Sequence, residues 1–289
     1  MARIAINRAS RFDLDVDRPR ILLVPDTSEL EWQVKPLLEE WAEVASFDAP
    51  GIGAEPAVEG RGPRATLEGR GLSDERRGWE RCVTPGDEPI VERGLAEIDR
   101  RGWESCIVVG DEFGSFNAIG LAAAAPSRVE GLALGHACLS LDRTGPRPPV
   151  SGDVYSGFSQ LARFDYRTFA RTLTQVTQGG YDEELAEAYI ERVPQEITMA
   201  HSELADRFMD GRRVEPVLRE LNVPLLLVEH KGCLMFTREG FEDAGAAFPD
   251  AQRASFEQKP SVSADFAAAL RTFAARLTKA AREPARRPG

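Results

Sequence analysis

Histidine is the scarcest chemical group in this chain. Only three occur in 289 residues, His136, His201 and His230, so mechanisms that need several imidazoles are disfavoured at the outset. Cysteine is nearly as scarce. Cys82, Cys106, Cys138 and Cys233 stand far apart, with no Cys-x-x-Cys pair. That spacing supports neither a zinc knuckle nor a thioredoxin-type pair, and it fits reduced thiols in a cytoplasmic protein. No run approaches the roughly 20 apolar residues of a membrane helix. The N-terminal MARIAINRASRFDLD lacks the apolar stretch and cleavage site of a secretory signal. Basic residues are outnumbered, 36 against 47 acidic, for a net charge of −11. Such a chain repels phosphate backbones, so neither nucleic acid nor a membrane is an expected partner. Homodimerisation is left open.

What is present has the composition of a globular protein: 42% hydrophobic and 29% charged residues, enough apolar material for a sizeable core. Arg20 to Val24 (RILLV) reads as a buried strand running into a loop. A helical spacing of apolar residues follows from Leu30 to Val44, then a short strand from Ala45 to Phe47. Residues 54–88 are rich in Gly, Pro, Arg and Glu, without apolar periodicity, and read as a long surface excursion. IVERGLAEIDRRGW is a helix, CIVVG a strand, and DEFGSFNAIGLAAAAPSRV a turn and helix before the strand GLALGHA. This is a βαβ unit. The alternation then breaks into helical patterns over 155–176, 182–193 and 197–209. Strand, helix, strand, helix resume from Val223 to Leu277.

The predicted class is α/β, with a mostly parallel central sheet flanked by helices. Residues 1–140 and 221–289 form the core domain, and 141–220 form a helical lid or cap insertion.

The segment VVGDEFGSFNAIGLAAAAPSRVEGLAL is similar to the strand, nucleophile elbow, helix and next strand of the α/β-hydrolase superfamily. FDAPGIG resembles that family's Asp-x-x-Gly-x-Gly turn, and NVPLLLVEHKG the strand leading to its acidic triad member. The resemblance runs from about Arg20 to Leu277 and implies an α/β-hydrolase fold. In the family the elbow is Gly-x-Ser-x-Gly, a sharp turn that lifts its central side chain above the sheet at a helix N-terminus. Here it is Gly110-Asp111-Glu112-Phe113-Gly114, with Glu112 in the serine's place. Pro25-Asp26 stand where the family has His-Gly, and Lys231, Gly232 and Cys233 where its acid is expected. Glu257 to Ser263 contain no histidine where its histidine belongs. All three positions of the Ser–acid–His triad are therefore changed.

The resemblance implies a protein that lacks the usual triad and binds a small apolar or amphipathic molecule between lid and core. Asp26, Thr27, Asp111, Glu112, Phe113, His136 and His230 are its candidate binding residues, because strand ends face the pocket in this fold. The alternative is an enzyme of unusual chemistry: a lyase, isomerase, cyclase or hydrolase. Glu112 with His136 would be its acid–base pair, formed across adjacent strands. Asp111 is otherwise expected to cap the elbow helix. Cys233 as a nucleophile would need a nearby base and a lowered pKa. His201 is expected on a lid helix, and Tyr155, Phe158, Phe164, Tyr166 and Phe169 mostly in lid core. Asp26, Asp111, Glu112 and His136 could together hold Mg²⁺, but no spacing motif supports a metal, and no cofactor is implied.

Overall fold

A computed structural model describes residues 18–26, 28–49, 52, 88–136, 152–178, 182–195, 198, 214–233 and 236–282. Thr27, His201, the side chain of Tyr155, the 54–87 segment and the 197–209 helical pattern (but for Thr198) lie outside this set. The elements are β1 (Arg20–Val24), α1 (Lys35–Glu39), β2 (Glu43–Ser46), α2 (Glu88–Arg100) and β3 (Cys106–Gly110). Next come α3 (Gly114–Ala124), β4 (Val129–Gly135), α4 (Gly152–Phe164), α5 (Tyr166–Gln178) and α6 (Glu183–Arg192). Last are α7 (Glu215–Leu221), β5 (Leu225–His230), α8 (Arg238–Ala247), β6 (Gln252–Phe256) and α9 (Ala264–Arg282).

The six strands form one sheet in the order β2-β1-β3-β4-β5-β6, and every neighbouring pair is parallel. Side chains alternate between its faces, as the strand period of two requires. Leu22, Val24, Val108, Leu132, Leu134 and Leu227 pack on one face with α2, α3, α7 and α8. Ile21, Leu23, Ile107, Val109, Leu226 and Val228 pack on the other with α1 and α9, through Leu38, Phe266, Leu270 and Phe273. A sheet covered on both faces explains why its central strands read as unbroken apolar runs. α3 is buried along most of its length, which suits its Ala-rich, nearly all-apolar sequence. Strand progression reverses between β1 and β3, so the carboxyl ends of these strands flank a natural crevice.

Two helix expectations are corrected. The pattern from Leu30 to Val44 is not one helix. Ser28 caps a 3-10 turn at Glu29–Glu31 through a capping box, and Pro36 restarts the chain as α1 near its own N-terminus, the place where a missing N–H is harmless. Glu43 and Val44 belong to β2. The pattern over 155–176 is likewise two helices. Asp165 breaks it, accepting the Thr168 N–H at 3.0 Å and so opening α5.

Phe169 is buried, with Phe158 and Tyr166 rings at 6.1 and 5.9 Å. Phe164, expected among them, is instead 86% exposed. Arg192 on α6 ties this helical segment to the rest of the chain, donating to Asp48 Oδ2 (2.9 Å from Nε) and Glu29 Oε1 (2.8 Å). Among the described residues, no helix is long and apolar enough to cross a membrane.

Candidate functional site

The turn after β3 presents one side chain. Glu112 has φ of +51°, a left-handed conformation uncommon for a residue with a Cβ. Its N–H donates to Gly135 O at 3.2 Å, and its own carbonyl accepts the Ser115 N–H at 3.1 Å. Gly114 lets α3 approach β1. A Cβ there would stand 2.9 Å from Val24 O and 3.2 Å from Asp26 N. Asp26 thus lies beside the elbow, its N–H donating to Glu31 Oε2 at 3.2 Å.

Lys259 reaches the tip of the elbow from the loop after β6. Its Nζ donates to Glu112 Oε2 at 3.0 Å and stands 3.9 Å from Asp111 Oδ2. Lys259 is only 4% exposed. Burial pushes its pKa down, but Glu112, Asp111 and Glu31 outweigh that and hold it well above the usual lysine range. The ammonium therefore stays charged.

The second pair lies directly behind. His136 Nδ1 and Asp111 Oδ1 are 3.0 Å apart, and both residues are buried. Gly135 makes room for this carboxylate, since a Cβ there would stand 2.1 Å from Asp111 Oδ1. Burial raises the Asp111 pKa, but the His136 hydrogen bond and the Lys259 charge bring it below the usual carboxylate range. Burial lowers the His136 pKa, but hydrogen bonds with Asp111 and Cys233 raise it to about 10. The expected helix-capping role of Asp111 is corrected. Phe113 occupies the N-cap position of α3 without a side-chain cap bond, while Asp111 Oδ1 accepts the Glu112 N–H at 3.0 Å.

A third group adjoins His136. His230, buried at the end of β5, sets its ring edge-on to His136 with centroids 5.4 Å apart. Phe236 lies 5.6 Å from His136 and 5.4 Å from Phe113. Burial raises the Cys233 pKa, but hydrogen bonds with His136 and His230 bring it down to about 7. Buried Cys106 contrasts with it, its pKa pushed up to about 12 by desolvation. A cavity of about 40 Å³ is lined by His136, Glu229, His230, Cys233, Phe236 and Phe241, among others.

The structure therefore gathers Asp111, Glu112, Phe113, His136 and His230 at the carboxyl end of the sheet, with Asp26 beside them. The pairing weighed for acid–base work is different, however. Glu112 and His136 do not hydrogen-bond each other. Glu112 engages Lys259, and His136 engages Asp111. Sequence reasoning missed Lys259 altogether and gave Cys233 no partners. The signal for both was position. Lys259 stands in the loop before the last helix, where the resemblance places a histidine. Cys233 follows the strand where it places an acid.

No protein-family model matches this chain, and no curated protein sequence does. Solved structures do. A 2-hydroxy-6-oxo-6-phenylhexa-2,4-dienoate hydrolase from Rhodococcus is 15% identical with a TM-score of 0.67, covering 89% of this chain and 90% of its own. A hydrolase from Oleispira antarctica is 14% identical with a TM-score of 0.65, covering 89% and 91%. A bromoperoxidase from Bacillus anthracis is 14% identical with a TM-score of 0.63, covering 91% and 92%. At these identities the likeness establishes the fold alone: this chain has the α/β-hydrolase fold, with Glu112 at the elbow.

Proposed function

We propose that this α/β-hydrolase-fold protein has given up serine-hydrolase chemistry and binds a small apolar or amphipathic molecule between its core and a lid of helices α4 to α6. The observation that carries this reading is the ion pair of Glu112 with buried Lys259, 3.0 Å long. A hydrolase elbow needs a nucleophile and a base that accepts its proton near neutral pH. Lys259 stands in the base's place with its pKa held well above the lysine range, so it arrives already protonated. Glu112 Oε2 accepts from that lysine at 3.0 Å, so the contact occupies an oxygen that a nucleophile or base would have to use. A glutamyl ester formed there would have no imidazole from this loop to activate the water that releases it.

The rest of the site suits retention of a ligand better than turnover. Phe113 and Phe236 give an apolar wall beside the elbow. Arg192 fastens α6 to Asp48 and Glu29 at the core, which keeps the helical segment over one place. A fixed cover and an apolar wall favour a ligand with one polar group directed at Lys259 and Glu112.

Substituting Glu112→Ser tests the catalytic half of the reading. The variant is expected to remain inactive on activated esters, because position 259 still holds a cation. Brisk esterase turnover would mean that a usable imidazole and acid exist, and the reading would fail. Native mass spectrometry of the intact protein tests the binding half. A co-purifying small molecule retained by wild type and lost in Phe236→Ala is the expected result; equal retention by both would place the ligand elsewhere.

A further inference from the structure

We propose that His136, His230 and Cys233 form a site for a thiophilic transition-metal ion of the zinc type. The ligand atoms these side chains offer all lie within 4.8 Å of one another. Around a tetrahedral zinc ion, bonds of about 2.0–2.3 Å set neighbouring ligand atoms roughly 3.3–3.8 Å apart. Closing the difference takes movements of about 1 Å, within the range of small side-chain rotations.

Several independent features point to an ion. His136 Nδ1 is committed to Asp111 Oδ1 at 3.0 Å, which leaves Nε2 as its only free ring nitrogen. That atom is buried and faces the Cys233 thiol rather than an oxygen or nitrogen partner. A thiol is a weak partner for a buried imidazole nitrogen, and a metal shared by the two would satisfy both. A carboxylate on the far side of the imidazole is also the usual device that fixes a metal-binding histidine in one orientation. The Cys233 sulfur accepts the Phe236 N–H at 3.3 Å, a donor that supports the negative charge of a thiolate. All three side chains line the cavity of about 40 Å³, room for an ion and one water.

The ligand set selects the metal. Two imidazoles and a thiolate suit zinc, and cobalt(II) as its spectroscopic substitute, and are wrong for the hard oxygen-seeking ions Mg²⁺ and Ca²⁺. Three protein ligands leave a fourth position for water or a small ligand. Glu229 lines the cavity too, but its carboxylate already accepts from Ser255 Oγ at 2.6 Å. The only local trace in sequence is His230-x-x-Cys233, while the third ligand arrives from the adjacent strand β4. This inference is independent of the role given to Glu112, although the two sites share Asp111.

Titration of chelator-treated, full-length protein with Co²⁺ and then Zn²⁺ tests it. One Co²⁺ per chain is expected, with a thiolate-to-cobalt charge-transfer band that one equivalent of Zn²⁺ removes. Cys233→Ser should abolish the band. Asp111→Asn, by freeing the His136 ring, should weaken zinc binding roughly 10–100-fold. These buried substitutions can disturb folding, so wild type supplies a second readout. Zn²⁺ should slow iodoacetamide labelling of Cys233, mapped by peptide mass, against the same protein without metal. The proposal is overturned if Cys233 labels equally fast with and without Zn²⁺ and wild type gives no charge-transfer band. A band that survives in a folded Cys233→Ser protein would also overturn it.

Discussion

Replacing Lys259 by methionine probes the elbow's electrostatics with little change of volume. Lys259 is 4% exposed and faces Glu112 Oε2 at 3.0 Å and Asp111 Oδ2 at 3.9 Å. Removing one partner of a buried ion pair costs about 3–5 kcal/mol, because the other charge is left without compensation. Asp111 keeps His136 as a partner, so the loss falls mainly on Glu112. The Glu112 side chain is 12% exposed, so water relieves part of its charge and the lower end, about 3 kcal/mol, is expected. In a protein of this size that lowers the melting temperature by roughly 6 °C. Adding Glu112→Gln to Lys259→Met removes the orphaned charge and should restore part of the stability, with a coupling of about 1–3 kcal/mol. Urea unfolding of the wild type, both single variants and the double variant reads this from midpoints at constant slope. A Lys259→Met loss under about 1 kcal/mol, or additive effects of the two substitutions, would refute the view that this pair organises the elbow.

Two further outcomes follow from other parts of the chain. Arg192→Ala should cost about 1–3 kcal/mol through the charged hydrogen bonds to Asp48 and Glu29, and should speed hydrogen exchange in α6 before the sheet; unchanged exchange there would show that the link does not anchor the helical segment. Glu97 is buried, which raises its pKa, but Arg100 and Arg101 outweigh burial and lower it below its ordinary value. A lowered folded pKa stabilises above the unfolded value of about 4.3 and is lost as pH falls through the folded one. Glu97→Gln should therefore flatten the acid side of the stability–pH curve and leave its shape above pH ~6 unchanged; an unaltered acid limb would contradict this.

The β3–α3–β4 unit was legible because its strands are buried on both faces and its helix is apolar on nearly all sides. Such segments announce themselves as short apolar runs. Helix ends were harder to read. Pro36 and Asp165 both sit inside apolar periodicities that continue across them, so periodicity alone merged what capping chemistry separates. In the site, Glu112, His136 and His230 could be placed from sequence because each stands at or just beyond the end of a recognisable strand. Their partners could not. Lys259 comes from the loop after β6, an edge strand separated from β3 by β4 and β5, and only that loop's return across the sheet, where Ser261 O accepts the Val34 N–H at 2.8 Å, brings it to the elbow. Asp111 and Glu112 are adjacent in sequence, yet the left-handed turn at Glu112 sends one carboxylate to His136 and the other to Lys259. No spacing rule distinguishes those two directions.

Hydrolysis of a panel of activated esters and lactones, measured for wild type and Glu112→Ala side by side, tests the central claim most directly. A site whose elbow carboxylate is neutralised by Lys259 predicts that neither protein exceeds the uncatalysed rate. Turnover by the wild type that disappears in Glu112→Ala would contradict it and make Glu112 a working catalytic group.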